Sequence, residues 1–117
     1  MAGNDKPATS AIESAKAHFL ESAPQPFDVP EWGIRIFPKR ENMADRIRRF
    51  VICSEKGFDR ANQLAYTLIS LACKEDGSKH FSPADRTALV NDVDPDVLES
   101  VVLRCTGISA EAAEKNF

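Results

Sequence analysis

The feature that most constrains this chain is the stretch 58–85, FDRANQLAYTLISLACKEDGSKHFSPAD, in which a helix is written, stopped and restarted. Ala61, Leu64, Ala65, Leu68, Leu71 and Ala72 recur at the three-and-four spacing that gathers side chains onto one helix face. That spacing predicts an amphipathic helix ending near Cys73. Asp76-Gly77 then supplies the positive φ of a tight reversal, and Ser82-Pro83-Ala84-Asp85 reads as N-cap, N1 proline and acidic N3 of another helix. The flanking segments therefore have one apolar stripe to pack against. None of its residues carries chemistry.

Upstream, Ser10 with Glu13 reads as a capping box, and Ile12, Ala15, Phe19 and Leu20 predict a short amphipathic helix that ends before Pro24. Phe27 and Val29 alternate with Asp28, Ile34 and Ile36 alternate with Arg35, and turn residues lie between Pro30 and Gly33. This predicts a β-hairpin. Two strands alone are marginal in water, so the hairpin must lay one face on the helices or pair its edge with another chain. Trp32, at the turn, is either a packed anchor or a partner contact, since aromatic residues are enriched at interfaces.

A helix over 39–56 follows, with Met43, Ile47, Phe50 and Val51 on one side and Arg40, Arg46, Arg48 and Arg49 largely on others, closed by Gly57. Because Glu41 and Asp45 interrupt the basic residues, the charged side reads as a solvated face rather than a phosphate contact. Beyond 85, Leu89 and Val90 belong to one helix. Asp94-Pro95 opens another, with Val97, Leu98, Val101, Val102 and Cys105 as its stripe, and Gly107 as its stop. Ser109 caps a last weak helix over 110–115, and Met1 to Pro7 reads as a frayed end. The expected fold is thus mainly α, of the α+β class: one domain over 1–117, with about five helices and one short β-hairpin in the N-terminal third.

Composition removes several function classes. The three cysteines are odd in number and have no CxxC spacing; Cys73 and Cys105 fall on predicted apolar helix faces, so core packing in a reducing cytoplasm is expected. The first residues lack a signal-peptide core and no apolar run approaches bilayer length, so neither secretion nor a membrane is expected. The net charge of −3 is unevenly spread: residues 34–60 carry eight bases and four acids, and the segments on either side are acidic. That pattern suits salt pairing within the fold or between copies, not a nucleic-acid protein.

Catalytic patterns are missing as well. Nucleophilic catalysis needs a serine or cysteine beside an oriented histidine, and the two histidines, His18 and His80, both sit among polar neighbours. There is no Gly-rich phosphate loop and no HExxH. The 74–81 segment lacks the alternating acids of a calcium loop. Asp85, Asp94, Asp96 and Glu111 stand at helix starts, where the dipole accounts for them. The expectation is a protein that is not an enzyme and holds no cofactor or metal.

At VPEWG, residues 29–33, followed by Ile34 to Phe37, the chain resembles the tail assembly chaperones of long-tailed phages. The likeness continues through KEDGSKHFSPAD, residues 74–85, similar to that family's DEDG-x-x-x-F-x-x-x-D passage. It closes with Cys105-Thr106-Gly107-Ile108-Ser109 and Glu114-Lys115-Asn116. Order, spacing and length agree over nearly the whole chain, although Arg35 and Phe37 replace more regular strand residues and Lys74 stands where an acid is common. The resemblance implies a phage or prophage protein of the bacterial cytoplasm, absent from the finished virion, that coats the helical tape measure protein and delivers it to the tail tube protein. Trp32, Ile34, Ile36, Phe37 and Phe81 are the partner-binding candidates under this reading, with self-association a further expectation. It also implies a ribosomal frameshift near Glu114-Lys115-Asn116 that appends a tube-recruiting domain. The alternative is a small regulatory or nucleic-acid-associated domain using the basic residues from Lys39 to Arg49, distinguishable because phosphate contacts weaken steeply with salt.

Overall fold

The computed structural model describes residues 10–107. Along them run α1 (Ala11–Glu21), β1 (Phe27–Val29), β2 (Ile34–Pro38), α2 (Met43–Glu55), α3 (Arg60–Leu71), β3 (Ala72–Cys73), a 3-10 turn (Pro83–Asp85), α4 (Arg86–Asn91) and α5 (Pro95–Cys105). Five α-helices and a three-stranded antiparallel sheet thus make up the described residues, a mainly α fold of the α+β class, as the periodicities predict. The expected helix over 110–115, the 1–7 end and Glu114-Lys115-Asn116 lie outside the described residues.

The helix starts follow the local chemistry. Ser10 Oγ accepts from the Glu13 N–H at 3.2 Å, Asp59 Oδ1 from the Asn62 N–H at 2.9 Å, and Asp94 Oδ1 from the Asp96 N–H at 2.8 Å. Each satisfies a donor that the first turn leaves unpaired. At Ser82 the N–H donates to Asp85 Oδ2 at 2.8 Å, the reciprocal half of a capping box, and Pro83 opens a 3-10 turn that leads into α4.

α3 is the centre of the body. Its Ala65, Leu68, Ile69 and Leu71 are buried against Leu89 of α4, Leu98, Val101, Val102 and Cys105 of α5, and Phe27, Val29 and Ile36 of the hairpin. The hairpin register is Phe27 with Ile36, Asp28 with Arg35 and Val29 with Ile34. Strand alternation sends Phe27, Val29 and Ile36 into the core and leaves Asp28 and Arg35 outside, where they pair at 3.4 Å.

Three expectations need correction. The helix expected over 39–56 begins only at Met43, because the Asn42 and Asp45 capping box sets its first turn there. The central helix stops at Leu71 rather than near Cys73, and Ala72 turns to extended backbone at φ −83°, ψ 107°. The two residues after Leu71 pair with β2 instead, Phe37 with Cys73 and Pro38 with Ala72, and the Lys39 N–H donates to Leu71 O at 2.8 Å. An unpaired strand edge outbids one more half-turn of helix, because it satisfies backbone groups of both segments at once. The hairpin therefore finds its third strand within the chain. Cys73 is a buried strand residue rather than part of a helix face, and Ala61 is exposed. The reversal after β3 closes as expected: Gly77 adopts φ 89°, and the Lys74 N–H donates to Ser78 O at 2.7 Å.

Candidate partner-binding face

α2 begins at a complete capping box. Asn42 Oδ1 accepts from the Asp45 N–H at 2.8 Å and Asp45 Oδ2 from the Asn42 N–H at 3.3 Å; the latter contact holds the Asp45 carboxyl below its ordinary pKa, with Arg48 assisting. The helix ends at Gly57, where the Phe58 N–H reaches back to Cys53 O at 3.0 Å. Caps fix its length. Its rotation is fixed by Arg49.

The Arg49 guanidinium donates to both Glu41 carboxylate oxygens, at 2.8 and 2.9 Å, and its remaining nitrogen donates to Thr67 Oγ1 on α3 at 3.0 Å. The Thr67 hydroxyl in turn donates to Gln63 O at 2.8 Å. Arg49 and Glu41 side chains are only 12% and 10% exposed. The hydrogen bond from Arg49, together with the charges of Arg49 and Arg46, holds the Glu41 carboxyl below its ordinary pKa against the opposing effect of burial. The basic side of α2, expected as a solvated face, is thus turned inward at Arg49, because a bidentate pair with a third hydrogen bond into α3 needs that orientation.

With Arg49 facing α3, the opposite side of α2 faces outward. Met43, Ile47, Phe50 and Val51 stand 64%, 52%, 57% and 46% exposed, a continuous stripe at spacings of four, three and one. Phe50 also forms one lip of a groove of about 520 Å³ between α2, α3 and α5, where Cys53, Leu64, Val102 and Leu103 are joined by the polar Arg46, Arg49, Arg60 and Gln63. A second cleft, of about 300 Å³, lies on the other flank of α2 over Ile52, Ile69, Leu71 and Phe81, with Lys39, Arg48 and Lys79 around it.

The five predicted contact residues do not form one surface. Ile36 has no exposed area and packs in the core, so its side chain cannot meet a partner in this fold. Ile34 is half-buried on the same strand face, and Phe37 lies on the other, with the Arg35 guanidinium 6.0 Å from its ring centre. Trp32 and Phe81 are brought together, edge to face at 6.0 Å, both half-buried against the core. Phe81 lines the smaller of these two clefts. The exposed α2 residues were legible as an apolar face, but not as an exposed one: a stripe marks a surface that needs covering and does not say what covers it.

Other candidate chemistry is engaged structurally. His80 Nε2 donates to Arg35 O at 2.8 Å, tying the reversal to β2. Arg40 stacks 4.2 Å over the Phe19 ring and donates to Ser22 O and Oγ at 3.1 and 2.9 Å, while Arg48 pairs with Asp45 at 3.0 Å. Cys53, Cys73 and Cys105 are free and buried, and burial pushes the Cys105 thiol up to about 12. Among the described residues no three His, Cys, Asp or Glu side chains are grouped to hold a metal ion, and no helix is long and apolar enough to cross a membrane. No protein-family model matches the chain, and no curated protein or solved structure matches it either.

Proposed function

We propose that this protein is a non-catalytic helix-binding chaperone of the phage tail assembly type, which covers an apolar stripe of a tape measure protein before the tail tube encloses it. The observation that carries this reading is the outward apolar face of α2: Met43, Ile47, Phe50 and Val51, continued by the groove behind Phe50. A stripe at helical spacing is the shape that a second amphipathic helix fits, with anchors at i, i+3, i+4 and i+7. Exposed apolar patches of this kind mark interaction sites. The motif order from VPEWG to Glu114-Lys115-Asn116 supports the assignment to phage tail assembly. Under it, the protein works in the cytoplasm of the bacterial host, is left out of the virion, and meets the tail tube protein through a frameshift-extended form.

Co-expression with the tape measure protein tests the role. The tape measure should become soluble and co-purify, in a complex that survives high salt because apolar contacts carry it. Ile47→Lys together with Phe50→Lys should abolish capture and leave the melting curve in place. Failure of the unaltered protein to solubilise or retain the tape measure rules the role out, and capture that disappears with salt favours a charge-based contact instead.

A further inference from the structure

The six large hydrophobic side chains exposed among the described residues all belong to two helices: Ile12 and Leu20 on α1, and Met43, Ile47, Phe50 and Val51 on α2. α1 buries no residue at all. An isolated helix of 11 residues is marginal in water, so α1 gains stability only by laying its stripe on something. Among the described residues it is held at its C-terminal end, where Arg40 stacks on Phe19 and bonds Ser22 just before α2 begins. That clamp fixes the end of α1 and leaves its outer face open.

We infer that two copies of this chain associate by reciprocal exchange, α1 of each lying along α2 of the other. The two stripes match in form. Ile12 and Leu20 repeat the eight-residue spacing of Met43 and Val51, and the helices have 11 and 13 residues. Charge favours the exchange over like-with-like pairing. α1 carries Glu13 and Glu21 against Lys16, whereas the solvent-facing cations of α2 are Arg46 and Arg48, set against Asp45 and Glu55. An antiparallel α2 pair would bring those arginines near one another, and α1 on α2 brings acid to base. The fractional exposures of the six side chains amount to on the order of 600 Å² per copy, close to the about 800 Å² per partner of a standard interface before polar flanks are added. Exchange also makes the contact isologous, so it closes at two copies and leaves no face to propagate. The same α2 face serves both the second copy and, on the proposed chaperone role, the tape measure; that competition rests on the chaperone reading, while the exchange itself does not.

Sedimentation equilibrium of the full chain decides the exchange without any partner present. The unaltered protein should shift with concentration from 12.9 kDa to twice that mass. Leu20→Glu and Ile47→Glu, both at exposed positions, should each stay at monomer mass, with any loss of helical circular dichroism confined to the share of the 11-residue α1 and the cooperative unfolding of the α3 core retained. Mixed in equal amounts, the two variants should regain association, because the sound α1 of one meets the sound α2 of the other. A monomer at every concentration overturns the inference. So does Leu20→Glu that still dimerises, or a mixture that fails to recover. Co-expression with the tape measure is read separately: Leu20→Glu should capture it at least as well as the unaltered chain, and a loss of capture overturns the competition but not the dimer.

Discussion

α2 and α3 are neighbours of nearly equal length, 13 and 12 residues, each capped by a side chain that accepts from its N3 N–H. Their fates are opposite. α3 puts Ala65, Leu68, Ile69 and Leu71 into the core, whereas α2 keeps its apolar stripe outside and turns the Arg49 and Glu41 pair inward. Amphipathicity is thus a demand for cover that the chain meets at α3 and leaves open at α2. The difference arises from what lies around each helix. Sheet, α4 and α5 enclose α3, while α2 meets the body along a single edge that Arg49 occupies.

The largest effect that could break this comparison is a pair of truncations. Leu68→Ala should lose about 3–5 kcal/mol of unfolding free energy in urea, and Ile47→Ala, in dilute solution where copies are apart, should stay within about 0.5 kcal/mol. Equal losses would show that the α2 stripe is covered within the chain.

Next in size is Glu41→Gln, which strands a mostly buried guanidinium and should cost about 3 kcal/mol near neutral pH. The Glu41 pKa is lowered in the folded protein. Its contribution is therefore complete above the ordinary value near 4.5 and falls away as pH drops through the folded pKa. Melting of the unaltered protein should decline over that acid range, and the gap to Glu41→Gln should narrow with it. A gap that is constant with pH would remove the ion pair as the device that orients α2.

Trp32→Ala should cost about 2 kcal/mol, a half-buried ring lost from its edge-to-face contact with Phe81. A silent substitution would detach the hairpin turn from the body and return Trp32 to the list of partner contacts. The smallest effects sharpen the comparison rather than test it. Asn42→Ala and Asp59→Ala remove equivalent caps and should each cost about 1 kcal/mol in thermal unfolding, because capping is local and indifferent to how the helix is covered. A large inequality would mean that one of the two helices depends on its cap for more than its own first turn.

Much of the fold could be read from residue order alone. Caps at Ser10 and Asp94, the hairpin between Phe27 and Phe37, and the Ser82 to Asp85 restart depend on neighbours within a few positions, and each appears in the structure, whereas the caps at Asn42 and Asp59 emerged only there. Of the candidate contact surface less was legible. Ile36 and Ile34 look alike in the strand pattern, yet one is sealed in the core and the other only partly covered.

The sequence by itself determined the starts at Ser10, Ser82 and Asp94, which faces are apolar, and that a lone hairpin had to find support, since capping, periodicity and backbone pairing are short-range physics. Tertiary structure alone decided that Ala72 and Cys73 leave the helix to extend the sheet, and that α2 shows its apolar side to the outside. Both outcomes turn on contacts between segments distant in the chain: a free strand edge at Phe37 and Pro38, and the Thr67 hydroxyl on α3 that completes the hydrogen bonds of Arg49. A helix with one charged side and one apolar side can present either to its neighbour. Which one it presents depends on the partners the fold places there.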